Sequence, residues 1–117
     1  MKKINFKKTI KFINFLTKNK YTYNFNWLGV KTIQFPSDLI VIQELIFKNK
    51  PDIIIETGVA HGGTLIFYSS ILELIGKKYK KVIGIDVLIK DHNKEKIKNH
   101  KLSKNIKLIE CSSTDKS

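Results

Sequence analysis

Short apolar runs alternate with longer stretches of helical spacing along this chain. Three runs predict strands of the kind found inside a parallel sheet, at residues 52–56, 82–86 and 106–110. Apolar positions at helical spacing predict helices over 37–47 and 64–75, and a short polar helix is expected over 93–101. Ser37 is the expected cap of the first of these helices. This order of helix, strand, helix, strand, helix, strand predicts a doubly wound α/β sheet with right-handed crossovers.

The first segment has a different pattern, because lysines interrupt it throughout. Residues 4–18 place apolar side chains near helical spacing, at Phe6, Ile10, Ile13 and Leu16. This spacing predicts an amphipathic helix. We expect the helix to cover the domain's own core, and the alternative is that it rests on an anionic membrane.

An aromatic cluster follows between residues 21 and 27. Its rings alternate with polar residues, which predicts an extended segment with one buried face. Packing in the core or in a pocket wall is the favoured use of these rings. Stacking on nucleic-acid bases is the alternative, and the lack of nearby arginines argues against it.

Composition restricts the class of protein and of partner. A length of 117 residues allows one small domain. The net charge is +12, and all 22 basic residues are lysine. Lysine lacks the planar guanidinium group that arginine uses for bidentate recognition of guanine or phosphate. We therefore expect no specific nucleic-acid partner. The apolar runs are too short to cross a bilayer and no signal peptide is evident, so a cytoplasmic protein without a transmembrane segment is expected.

Candidate chemistry lies where the first two predicted strands end. A turn containing Gly58, Gly62 and Gly63 follows the first strand, and glycine there allows a ligand to approach the backbone closely. The spacing differs from the Gly-x-Gly-x-x-Gly fingerprint, so a pyrophosphate is disfavoured. Asp86 can accept both hydroxyls of an adenosine ribose, and Glu56 can meet a cationic group in the same crevice. These features indicate S-adenosylmethionine, which carries positive charge and no phosphate.

Two other functions fit part of the same pattern. An NAD(P)-dependent oxidoreductase would use the same strand, glycine turn and acid. A basic, non-enzymatic module for nucleic acid or anionic lipid would use the lysines. A hydrolase is disfavoured, because the chain has no Gly-x-Ser-x-Gly nucleophile turn.

Several longer motifs allow a resemblance to be stated. The stretch from Glu56 to Gly63, Glu-Thr-Gly-Val-Ala-His-Gly-Gly, resembles the cephalosporin hydroxylase and rhamnosyl O-methyltransferase family. Shorter matches surround it: Trp-Leu-Gly at 27–29, Gln-Phe-Pro at 34–36, Val-Ile-Gly-Ile-Asp at 82–86 and Ser-Ser at 112–113. The resemblance covers about residues 21–115. It implies the Rossmann-like fold of class I methyltransferases, which use S-adenosylmethionine to methylate hydroxyl groups of sugars, lipid-linked molecules or secondary metabolites.

The resemblance also implies a set of site residues. The implied cofactor contacts are Glu56, Gly58, Gly62, Gly63 and Asp86. We expect further cofactor contacts at Ala60, His61, Ser113 and Asp115. His61 has an alternative, purely structural role as a loop residue next to a helix start. No catalytic base is assigned, and the expected acceptor is the hydroxyl of a small molecule or glycan.

Part of the family pattern is missing from these 117 residues. The resemblance implies a divalent metal such as Mg²⁺, held by an Asp-Ser-x-His stretch and a Glu-Asp pair that do not occur here. We expect a helix at residues 1–20 and the N-terminal half of a cofactor-binding domain at 21–117. The sheet would then be incomplete, with three strands in the order 3-2-1 and flanking helices. Its first strand would be an exposed edge that can self-associate or pair with a complementing chain.

Overall fold

The computed structural model describes residues 4–115. Its helices and strands, in chain order, are α1 (Phe6–Lys18), β1 (Asn26–Trp27), β2 (Val30–Lys31), α2 (Pro36–Asn49), β3 (Ile53–Thr57), α3 (Gly63–Leu74), β4 (Lys81–Asp86), α4 (Asp91–Lys98) and β5 (Ile106–Glu110). Two single-turn 3₁₀ segments, Tyr21–Asn24 and Ser103–Asn105, precede β1 and β5. The three predicted strands of the sheet and all the predicted helices are present, with small shifts at their ends.

The central sheet consists of three parallel strands in the order β3-β4-β5. Ile54 pairs with Val82, and Gly84 pairs with Leu108. Because β3 is the first strand of this sheet in the sequence, the arrangement is the predicted 3-2-1 order, and the incomplete α/β fold is confirmed. A separate two-stranded antiparallel hairpin is formed by β1 and β2.

The hydrophobic core lies on one face of the sheet, under α3. Nine of the twelve residues of α3 are buried, because the helix packs against the sheet, the hairpin and α2. Gly84 allows this close approach, since a Cβ there would meet Leu65 and Val59. From the hairpin, the Trp27 ring packs edge-on against Phe67, with 4.8 Å between ring centroids.

The opposite face of the sheet is poorly covered. Ile53 and Ile55 in β3 are 46% and 61% exposed, and neither belongs to the core cluster. Parallel sheets are normally covered on both faces. Within residues 4–115, the outer edge of β3 also has no strand partner. The exposed edge predicted from the sequence is therefore present, together with an uncovered apolar face.

Three predictions from the sequence were wrong in this part of the chain. The α1 helix forms, but none of its residues is buried, and its main contact is the adjacent 3₁₀ turn. The aromatic segment begins as that turn, so only its end, from Phe25 to Trp27, is extended. In α2, Ser37 does not cap the helix. Phe35 occupies the cap position. Pro36 follows at the start of the helix, where its fixed φ angle suits the first turn.

Candidate cofactor site

The turn between β3 and α3 adopts a conformation that depends on glycine. Gly58 and Gly62 have φ angles of +87° and +84°, which side chains with a Cβ disfavour. The Gly58 N–H donates to the Ile85 carbonyl at 2.8 Å, which holds the turn against β4. A Cβ built on Gly58 would meet no atom within 4 Å. Gly58 is therefore required by its backbone angle, and the space beside it is open to a ligand.

Gly63 begins α3 for a different reason. A Cβ at this position would meet the backbone carbonyl of Lys31 and the side chain of Thr32. The hairpin therefore lies directly against the first turn of α3. This contact fixes the position of the helix N-terminus, whose free N–H groups and dipole favour a negative or electron-rich ligand atom.

Asp86, the last residue of β4, accepts hydrogen bonds from the backbone of the glycine turn. Its Oδ2 accepts from the Val59 N–H at 2.8 Å and from the Ala60 N–H at 3.4 Å, and its Oδ1 accepts from the Leu88 N–H at 3.3 Å. Burial opposes ionisation of this carboxyl, but the backbone donors outweigh it and lower the pKa of Asp86. Asp86 is therefore a stable anion that also organises the turn, a second role not foreseen from the sequence.

Glu56, near the end of β3, is a half-buried acid that points toward α3. Its Oε2 accepts from the Thr64 hydroxyl at 2.7 Å, and its Oε1 accepts from the Tyr68 hydroxyl at 3.4 Å. Burial raises the pKa of Glu56, and these two hydrogen bonds offset only part of that rise. Burial and the adjacent Glu56 charge raise the pKa of Tyr68 to about 12.

The acids at this edge differ in their partners. Glu110, which ends β5, forms an ion pair with Lys94 at 2.7 Å, and the hydrogen bond from this lysine lowers the pKa of Glu110. Among residues 4–115, neither Glu56 nor Asp86 has a lysine within ion-pair distance. Two carboxylates at the ends of adjacent strands thus remain available to a cationic or hydroxyl-bearing ligand.

Asn93, from α4, contacts the glycine turn at Ala60 and at His61. Asn93 is 4% exposed, and its Nδ2 donates to the Ala60 carbonyl at 3.0 Å. The His61 Nδ1 lies 3.4 Å from the Asn93 Oδ1. Ala60 has a φ of +48°, an uncommon angle for a residue with a side chain, and these contacts help to hold it there. Nothing in the sequence pattern of α4 identified Asn93 as a support for this turn.

A cavity of about 250 Å³ lies beside the turn. Glu56 and residues 57–64 form one side, and Lys31, Ile33 and Gln34 form the other. The last three were absent from the expected set, although Gln34 belongs to one of the motifs that carried the resemblance. A larger apolar cavity of about 620 Å³ lies between the hairpin and the C-terminal end of α3 and does not touch the glycine turn.

The structure brings most of the expected residues together. Glu56 and the turn from Gly58 to Gly63 line the cavity, and Asp86 is bonded to the turn from the neighbouring strand. Ser113 and Asp115 follow β5 and do not line this cavity. The Asp115 carboxylate accepts from the Ser112 N–H at 3.0 Å, which closes a local turn. Their role as cofactor contacts stays a prediction, as does that of the other residues.

Side chains that bind metal ions do not cluster in the described residues. Among residues 4–115, no group of three or more His, Cys, Asp or Glu side chains lies close enough to hold one. The donors at the site suit an organic ligand with hydroxyl and cationic groups instead. In the described part of the chain, no helix is long and apolar enough to cross a membrane.

Comparison with known proteins identifies relatives along most of the chain. Rhamnosyl O-methyltransferase of Mycobacterium leprae is 32% identical over 65 residues, which is 56% of this chain and 28% of the relative. Rhamnosyl O-methyltransferase of Mycobacterium tuberculosis H37Rv is 26% identical over 89 residues, which is 76% of this chain and 34% of the relative. The chain thus spans about a third of the length of these curated relatives.

Solved structures of CmcI have a similar fold. One with Mg-SAM has a TM-score of 0.61 at 24% identity, covering 80% of this chain and 38% of CmcI. Another with SAH has a TM-score of 0.57 at 25% identity, covering 74% of this chain and 42% of CmcI. The family model described as Rhamnosyl O-methyltransferase/CmcI matches residues 19–117. Since that match includes the sheet, the glycine turn and both acids, the chain belongs to the Rhamnosyl O-methyltransferase/CmcI family.

Proposed function

We propose that this chain forms the S-adenosylmethionine-binding part of an O-methyltransferase. The observation that carries the proposal is the meeting of Glu56, the glycine turn and Asp86 at the carboxyl ends of β3 and β4. Ligands of α/β sheets bind at this end of the strands. The presence of SAM or SAH in solved CmcI structures supports the choice of ligand.

Each group of the proposed ligand has a partner of suitable chemistry. Asp86 would accept the ribose hydroxyls, exchanging its weaker bonds to the Ala60 and Leu88 N–H groups while keeping the one to Val59. Glu56 would face the positively charged methionine portion, whose charge would offset the burial that raises the pKa of this acid. The open side of Gly58 leaves room for the ligand to approach the backbone.

The chemistry that follows from this arrangement is mainly positioning. Methyl transfer requires a nucleophilic oxygen in line with the sulfonium methyl group, and a fixed donor supplies half of that alignment. No base is assigned among the described residues. A divalent metal would need further ligands from outside them. The proposed acceptor is a hydroxyl group of a sugar, a lipid-linked molecule or a secondary metabolite, and the proposed location is the cytoplasm.

A further polypeptide is proposed at the edge and uncovered face of β3. Unpaired backbone groups along β3 can form a ladder with an added strand. Helices from the same polypeptide would cover Ile53 and Ile55, which are otherwise exposed. We propose that a complementing segment of the same fold, or self-association through this edge, supplies that cover.

Equilibrium binding tests the cofactor proposal. Isothermal titration calorimetry on the whole chain should detect S-adenosylmethionine and S-adenosylhomocysteine, and should detect no binding of NAD⁺. Glu56→Gln retains the shape of the side chain and removes its charge, so S-adenosylmethionine should bind on the order of tenfold more weakly. S-adenosylhomocysteine lacks the sulfonium charge, so its affinity should fall less than that of S-adenosylmethionine.

Glu95→Gln is the matched control, because Glu95 is exposed on α4 and loses the same charge. It should leave both affinities unchanged. NAD⁺ binding without binding of either adenosyl compound would refute the proposal in favour of an oxidoreductase. Equal losses from Glu56→Gln and Glu95→Gln would show that only the net charge matters, which would remove Glu56 from the site.

A further inference from the structure

The α1 helix exposes apolar surface that nothing in the domain explains. Phe6, Ile10 and Ile13 are 74%, 56% and 45% exposed, and Phe12 and Phe15 are exposed as well. A surface of this kind, next to charged residues, is typical of an interaction site. The helix is well formed, because the Asn5 side chain accepts from the Lys8 N–H at 3.2 Å and caps its first turn.

One apolar face of α1 is separate from a stripe of lysines, and a third side, with Lys8, Phe12 and Phe15, mixes both kinds of residue. Positions 6, 10 and 13 are spaced by four and three residues, so Phe6, Ile10 and Ile13 share one face. Lys7, Lys11 and Lys18 follow at intervals of four and seven and form a separate stripe. The helix contains no acidic residue.

We propose that α1 binds flat on the surface of an anionic lipid membrane. In this arrangement its apolar face enters the boundary between headgroups and acyl chains, and its lysines contact the anionic headgroups. Charge selects this occupant over a second copy of the chain. Two α1 helices packed together would bring their lysines close with no acid to offset them, whereas an anionic bilayer complements them.

The position of α1 in the chain supports a separate role. The family match begins at residue 19, after the end of the helix at Lys18. Its main contact is the adjacent 3₁₀ turn, and it buries no residue. The helix can therefore enter a bilayer surface without disturbing the sheet or the cofactor site. The inference is independent of the proposed methyltransferase function.

Vesicle flotation with the whole chain tests this inference. The chain should float with vesicles of phosphatidylcholine and phosphatidylglycerol, and much less with phosphatidylcholine alone. Ile13→Asp removes an apolar contact and adds a negative charge, so partitioning should fall on the order of 50-fold or more. Asn14→Asp makes the same charge change at the adjacent exposed position on the basic side, and partitioning should fall only about fivefold.

Circular dichroism of both variants verifies that they fold, and size-exclusion chromatography measures self-association. Equal losses from the two substitutions would show that net charge alone attracts the chain, and would overturn the inference. Failure of the unmodified chain to float with anionic vesicles would also overturn it. So would a dimer that Ile13→Asp dissociates, if that dimer does not bind vesicles.

Discussion

The hydrogen bonds of Asp86 to the glycine turn provide a test of the site that needs no ligand. Asp86→Asn keeps an oxygen that can accept from the Val59 N–H, the shortest of the bonds at 2.8 Å. It replaces the other oxygen by an NH₂ group, which cannot accept from a backbone N–H. A hydrogen bond to a charged group contributes about 1.5 to 3 kcal/mol, and a neutral one about 1 kcal/mol. The free energy of unfolding of the variant should therefore be lower by about 1 to 2 kcal/mol at neutral pH.

The loss of stability caused by Asp86→Asn should depend on pH. Backbone donors overcome the opposing effect of burial and lower the pKa of Asp86 in the folded state. A lowered carboxyl pKa stabilises the fold above the unfolded-state value of about 3.9, and this contribution is lost as the pH falls through the folded-state pKa. The stability difference between the unmodified chain and the Asp86→Asn variant should be constant above about pH 5 and should shrink below about pH 4.

Urea unfolding measures both effects. Trp27 is the sole tryptophan of the chain, and its indole N–H donates to the Ser70 hydroxyl at 3.0 Å inside the packed region around α3. Its fluorescence therefore reports unfolding of the core. A stability difference that stays constant down to pH 3, or that grows as the pH falls, would refute the assignment of these bonds to an ionised Asp86.

Two packing predictions concern residues in the first turn of α3. Gly63→Ala places a methyl group against the Lys31 carbonyl and should destabilise the chain by about 1 to 3 kcal/mol, despite the higher helix propensity of alanine. Thermal unfolding followed by circular dichroism measures this, and an unchanged melting temperature would contradict the contact. Leu65 is fully buried, so Leu65→Ala should cost about 3 to 5 kcal/mol. A loss below about 1 kcal/mol in urea unfolding would show that the core around Leu65 is loosely packed.

The sheet was predictable because its signals are local. Each strand is a short apolar run with a turn after it, and the acid of β4 lies at the strand end where it was expected. The glycine turn was identified by its place between a strand and a helix. Its φ angles agree with that reasoning, since Gly58 and Gly62 both lie in the left-handed region.

The errors concern features that depend on contacts distant in sequence. The pattern of α1 predicted an apolar face correctly, but a pattern does not state what covers that face. Periodicity could not distinguish a 3₁₀ turn from a strand at Tyr21–Asn24, because four residues are too few to separate a period of three from a period of two. Asn93 supports the turn from 33 residues away in sequence, and only the packing of α4 against the turn reveals it.

The uncovered β3 strand has a consequence for ligand affinity. Glu56 lies near the end of the same strand whose outer edge lacks a partner within the described residues, so whatever rigidifies β3 also fixes one wall of the crevice. Binding equilibria that share one element are coupled, and the coupling is reciprocal. A polypeptide that docks along β3 should raise the affinity of the crevice for a small molecule. The bound molecule should raise the affinity for the polypeptide by the same factor.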